Sequence, residues 1–199
     1  MGGAGFVLAE RVSKMPGLTG QESDESKSGG STTRFADNLG AINIEVRTIT
    51  ADDWPLFRDV SLRALADSPD AFRRTLAEAQ ALTEDFWRQQ ATASRILVVL
   101  EDGRGVAMGG VFTPADSAIA YVWGMWTAPV ARGRGYAAAL LTDLVNSCRD
   151  RDLGVRLHVT EGNQAARRLY AAHGFKSTGV WEPLREGSAL QVEELQLVE

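Results

Sequence analysis

"APVARGRGYAAALL", residues 128–141, decides how this chain is read. Pro129 closes an apolar run. Two arginines then alternate with two glycines, and an Ala/Leu-rich stretch follows. Gly133 and Gly135 can take backbone angles that other residues avoid, and they leave room for a group to approach the main chain. A helix starting near Gly135 has unpaired amides and a partial positive charge at its start. Arg132 and Arg134 add full charges. Strand, glycine loop and helix start together make a phosphate cradle; a plain glycine turn with two solvated arginines fits the same spacing. A P-loop would end in Gly-Lys-Ser/Thr, which is absent. Gly133, Gly135 and Ala138 also fit the dinucleotide fingerprint G-x-G-x-x-A. That fingerprint expects an acidic residue about 20 residues on, at the end of the next strand, and Asp152 falls before its strand. The dinucleotide reading is weak on that ground.

The whole chain narrows the choices. Its 199 residues suit one domain and an appendage. Net charge is −5, which argues against nucleic acid or an anionic membrane as the main partner. Cys148 is the single cysteine and His158 and His173 are the two histidines, so no disulfide and no metal-ligand motif is expected. The cysteine usage fits a reducing, cytoplasmic setting. No apolar run approaches the roughly 20 residues of a membrane span. The start, MGGAGF, matches a myristoylation signal only in its first two residues, since Phe6 stands where Ser or Thr is wanted.

Residues 1–40, with "GQESDESKSGGSTT", are Ser/Gly-rich, charged and without apolar periodicity, and read as a disordered extension, a tag or an upstream-start segment, with Met15 an alternative start. From Ile44 the grain changes. "INIEVRTI" alternates as a half-buried strand does. "TADDWPLFRDVSLRALAD" reads as a helix with Asp52 or Asp53 as cap and Pro55 in its first turn. "AFRRTLAEAQ" and "TEDFWRQQAT" read as shorter helical pieces. "RILVVLE" and "VAMGGVFT" flank "DGRG", a hairpin signal. "AIAYVWGMWT" is almost wholly apolar, as a strand buried on both faces is. After the opening motif come a helix to about Arg151, a strand "VRLHVT", a helix "NQAARRLYAAHG", a strand "FKSTGVW" and a last strand "ALQVEELQL". The mixture predicts an α/β domain over residues 44–199, built on a mixed sheet.

At this point the chain resembles the GNAT-superfamily N-acetyltransferases. The family signature R/Q-x-x-G-x-G/A is met by Arg132-Gly133-Arg134-Gly135-Tyr136-Ala137. A second element is met by Asn163, Ala166, Leu169, Tyr170, Gly174 and Phe175. The resemblance runs from about Ile44 to Glu199. It implies a single domain with a mixed, mostly antiparallel sheet, flanked by helices, in which strands four and five splay apart. It also implies acetyl-CoA as co-substrate. The amides of Arg132, Gly133, Arg134, Gly135, Tyr136 and Ala137 would hold the pyrophosphate, and main-chain groups of Met125, Trp126 and Thr127 would pair with pantetheine. Asn163 would hydrogen-bond pantetheine, or merely cap its helix. Thr127 replaces the smaller aliphatic residue common in the family.

The same resemblance makes Tyr170 the acid that protonates the departing sulfur; the plainer reading is a packed helix tyrosine. Arg167 and Arg168 are either partners of the nucleotide 3′-phosphate or two solvated cations. No carboxylate lies on strand four; Glu161, in the turn after strand five, is either the candidate base or a solvated turn residue. Trp54, Phe57, Phe72, Trp123 and Trp126 line the acceptor side or pack the core. The implied activity is acetyl transfer to a primary amine of a small molecule or peptide by direct attack in a ternary complex, with a homodimer allowed. A non-catalytic acetyl-CoA-binding regulatory domain is the alternative, and an NAD(P)-binding module the third.

Overall fold

Seven strands in the order β1-β2-β3-β4-β5-β7-β6 form one sheet in the computed structural model, which describes residues 43–198. The extension over residues 1–40 lies outside the described residues. The strands are β1 (Ile44–Thr48), β2 (Arg95–Glu101), β3 (Arg104–Phe112), β4 (Ile119–Thr127), β5 (Gly154–Thr160), β6 (Phe175–Pro183) and β7 (Gln191–Leu197). The helices are α1 (Trp54–Asp67), α2 (Leu76–Gln80), α3 (Glu84–Ala93), α4 (Tyr136–Arg149) and α5 (Gln164–Ala172). All strand pairs are antiparallel except β4 with β5. This is the mixed, mostly antiparallel α/β sheet expected from the sequence.

Local chemistry explains the joints. Asp102 and Gly103 form a two-residue hairpin turn with φ of 48° and 79°, the left-handed pair that matches strand twist. Pro55 sits in the first turn of α1, as expected, but no side chain caps that helix at Asp53. The Asp53 carboxylate instead accepts from the Thr50 amide and hydroxyl at 2.9 and 2.7 Å. The stretch "AFRR" holds only the end of a 3-10 turn, at Ala71: Phe72 is extended, and the α-helix starts only at Leu76, behind the Thr75–Glu78 capping box.

Adjacent glycines of β3 show which helix covers which face. A side chain at Gly110 would run into Trp123, which meets Phe57 of α1 edge-on at 6.1 Å. One at Gly109 would run into Met125 and Leu144 of α4. Since neighbouring strand residues point to opposite faces, α1 and α4 lie on opposite sides of the sheet. The α1 side is packed with Phe57, Phe72, Trp87 and Trp123, each almost fully buried. Burial of one such phenylalanine is worth about 1.5–3 kcal/mol. Phe57 and Trp123 are therefore core residues, one of the two readings open for them.

Candidate active site

Two departures from regular β structure build the site. The first is a bulge. Met108 pairs with Trp126 and Gly110 with Trp123, so Gly124 and Met125 together face the single residue Gly109. Gly124 adopts φ 66°, which the extra residue requires. The second is a divergence. β4 and β5 pair only from Ile119↔Gly154 to Val122↔Leu157. Beyond that point the edge of β4 from Trp123 to Thr127 is not bonded to β5. The splay of strands four and five is thus present, and the bulge sits at its apex.

The glycine loop closes one end of this gap. Gly133 and Gly135 have φ of 78° and 82°, and a Cβ at either would meet no protein atom within 4 Å. Gly135 is the N-cap of α4, and no side chain caps that helix. Its first-turn amides therefore face a cleft, as at other anion-binding helix starts. Helix α4 is anchored behind them by Leu140, Leu141, Leu144, Val145 and Cys148, all buried on one stripe. The cleft measures 560 Å³ and is walled by Met125, Trp126 and Thr127 of β4, by the Arg132–Ala138 segment, by Phe72, and by Asn163 and Leu169.

The two loop arginines are already engaged. Arg132 donates to the Thr127 carbonyl at 3.1 Å and pairs with Asp67, which also accepts from Trp126 Nε1 at 2.9 Å. Burial alone would push the Asp67 carboxyl up, but the Trp126, Ser68 and Arg132 donors outweigh it and hold it below the usual range. Arg134 reaches Glu101 at 2.7 Å and the Val130 carbonyl at 3.1 Å, and Glu101 also accepts from the Tyr136 hydroxyl at 2.6 Å. The arginines thus brace the loop against α1 and the end of β2. Arg132 still lines the cleft, its charge offset by Asp67, beside the main-chain amides of the loop.

Among the other residues singled out, Asn163 both lines the cleft and caps α5, accepting from the Ala166 amide at 3.1 Å. Tyr170 lies one helical step beyond Leu169, 1% exposed, its ring tilted against Phe175 at 6.0 Å. Burial pushes its phenol well above the ordinary value. Thr127 has a buried hydroxyl without a hydrogen-bond partner among the described residues. Glu161 is exposed on the turn after β5, at a second cavity of 500 Å³ that shares Ser68, Ala71 and Asn163 with the cleft. Arg167 pairs with Glu193 at 2.5 Å and lies over Trp181, while Arg168 is exposed. Trp54 packs half-buried beneath Arg88. The bulge at Gly124 was missed from the sequence, although a glycine inside an apolar strand is its signal. Among the described residues no cluster of metal-ligating side chains is present, and no helix is long and apolar enough to cross a membrane.

Comparison with known proteins agrees with this geometry. The family model for acetyltransferases of the GNAT family matches residues 57–175. Mycothiol acetyltransferase of Stackebrandtia nassauensis is 32% identical over 151 residues, which is 72% of this chain and 48% of that protein. The match thus spans about half the length of that relative. The ribosomal-protein-alanine N-acetyltransferase from Brucella melitensis superposes with a TM-score of 0.62 at 20% identity, over 77% of this chain and 99% of that one. YncA from Salmonella typhimurium, solved with its cofactor acetyl-CoA, superposes with a TM-score of 0.64 at 18% identity, over 78% and 93% of the two chains. At those identities the two structures speak for the fold. The chain belongs to the GNAT acetyltransferase family.

Proposed function

From that membership we propose that the chain moves the acetyl group of acetyl-CoA to a primary amine by direct attack in a ternary complex. The observation that carries this reading is a single cleft holding both an uncapped helix start behind two left-handed glycines and a strand end freed from its neighbour. The residues suit the co-substrate. The open space over Gly133 and Gly135 leaves their amides reachable by a pyrophosphate, and the edge of Met125–Thr127, not bonded to β5, offers hydrogen-bonding groups to an amide-rich arm, beside the Thr127 carbonyl held by Arg132.

Acetyl-CoA supplies an acyl group activated by a thiol leaving group. The amides from Gly133 to Ala137 would hold its charged end. A main-chain N–H near Met125 would polarise the acetyl carbonyl and stabilise the charge that develops there. Asn163 would steady the pantetheine arm from the α5 side. Tyr170 would deliver a proton to the departing sulfur; burial pushes its phenol up, so the hydroxyl carries its proton at neutral pH.

Acceptor classes consistent with the reading include amino acids, polyamines, amine-bearing antibiotics and peptide N-termini. Thermal-shift titration with acetyl-CoA, CoA and NADP tests the ligand. Acetyl-CoA and CoA should stabilise the protein, and stabilisation by NADP alone would overturn the proposal. The missing carboxylate on β4 favours the second reading, a regulatory acetyl-CoA-binding domain, which predicts the same shifts but no thiol release with any amine.

A further inference from the structure

We propose that His158 is the general base of the transfer, taking the proton of the attacking amine on Nδ1, with Glu182 as the residue that positions it. The inference rests on the acetyl-transfer reading above. Pairing of β5 with β4 ends at Leu157, so His158 is the first β5 residue past the divergence, at the apex of the gap. Its register partner on β7 is Glu194, and its ring stacks on Tyr121 of β4, 6.4 Å away and 6° from parallel. The ring therefore lies on the sheet face that carries Tyr121, not the face of Leu157 and Val159.

A neighbouring carboxylate bears on the tautomer. Nε2 lies 3.1 Å from Glu182 Oε1, and Glu182 is held in turn by Arg73. A carboxylate repels a ring lone pair, so we place the hydrogen of the neutral ring on Nε2 and the lone pair on Nδ1. That Nδ1 is buried and has no partner among the described residues. The charged and titratable groups facing the ring are Glu182 of β6, Glu194 of β7, Arg73 from the segment before α2, Arg156 of β5 itself and Tyr121 of β4. Burial, the largest influence, holds the imidazole below its usual value against the opposing pull of Glu182. At neutral pH it is an unprotonated base.

The turn Pro69–Ala71 packs over β5, and Thr160, on the same face two residues beyond His158, lines the second cavity beside that turn. The Thr160 hydroxyl is likewise buried without a partner among the described residues. In this proposal an acceptor enters by this opening past Thr160 and reaches the histidine, whose buried ring lines neither cavity, with Tyr170 on the α5 side. The step balances. The amine nitrogen bonds to the acetyl carbon, and its proton passes to His158 Nδ1. The C–S bond breaks with its electron pair on sulfur, and the Tyr170 hydroxyl gives sulfur a proton. Solvent then carries the proton from His158 to the tyrosinate. Glu161 also lines that opening, exposed on the turn beyond β5.

The test is the pH profile of kcat/KM for the full chain with an amine that the wild type acetylates. His158→Gln keeps a donor toward Glu182 but has no titrating lone pair. It should retain protection from heating by acetyl-CoA, lose on the order of 100-fold in kcat, and lose the acid limb of the profile. Glu182→Gln removes the charge that raises the imidazole pKa, so its acid limb should move to lower pH. An acid limb unchanged in His158→Gln, with wild-type turnover, would overturn the proposal. So would nitrogen-15 NMR of the wild type showing the hydrogen on Nδ1, whatever the turnover. A wild type that acetylates no amine would instead sink the transfer reading, and this assignment with it.

Discussion

Replacing Gly135 by valine separates the two roles assigned to the glycine loop. At φ 82° a β-branched residue is strained, at a cost of about 1–3 kcal/mol. At about 2–4 °C per kcal/mol for a domain of this size, the ligand-free protein should melt roughly 2–12 °C lower. No protein atom lies within 4 Å of the new Cβ, so no internal clash adds to this. The remaining effect falls on the ligand, because the methyl groups occupy the space through which the α4 amides are reached. Loss of one hydrogen bond to a charged pyrophosphate, about 1.5–3 kcal/mol, corresponds to a ten- to hundredfold weaker Kd. Calorimetric titration with acetyl-CoA measures this directly. Gly179→Val is the control: φ is 79°, nothing lies within 4 Å, and the site is the bulge of β6 rather than the cleft. It should melt lower but bind acetyl-CoA as the wild type does. Equal affinity in Gly135→Val and wild type would refute the cradle.

Tyr170→Phe should fold, bind acetyl-CoA nearly as before and lose roughly 100-fold in kcat when chemistry limits turnover; an unchanged kcat would return Tyr170 to a packing role. The same residue predicts a pH effect on stability. Its phenol is raised in the fold, so its contribution is complete below the ordinary phenol value near 10 and fades as pH rises past it. Urea melts from pH 8 to 11 should therefore show a steeper alkaline loss in wild type than in Tyr170→Phe, and parallel curves would contradict this. Arg132→Ala should weaken acetyl-CoA binding less than Gly135→Val, since Arg132 is spent on Asp67 and the Thr127 carbonyl; a larger loss would mean that the side chain, not the main chain, holds the phosphates. Deleting residues 1–40 should leave acetyl-CoA affinity unchanged, and a large loss would show that the extension contributes to the site.

What could be read from the sequence was local. The Asp102-Gly103 turn, the buried β4 run and the Gly133/Gly135 loop each carry their signal within a few residues, and local backbone preference decides them. What could not be read depended on tertiary pairing. "AFRR" looked helical, but Phe72 is pulled into the core and the backbone there is extended. "FKSTGVW" proved to be the start of a strand that bulges between Ser177 and Trp181 and runs on to Pro183. Arg134 found Glu101 and Arg132 found Asp67, partners 33 and 65 residues away. The contact of His158 with Glu182 exists only because β7 inserts between β5 and β6, an order that no local pattern specifies.

The central claim is acetyl transfer to an amine. The most direct measurement is release of free CoA thiol from acetyl-CoA across a panel of amino acids, polyamines, amine-bearing antibiotics and peptide N-termini, with mass spectrometry of each acceptor. At least one amine should release thiol in proportion to enzyme and gain one acetyl group on nitrogen. Tight acetyl-CoA binding with no thiol release above background for any amine would contradict it and leave a binding domain in its place.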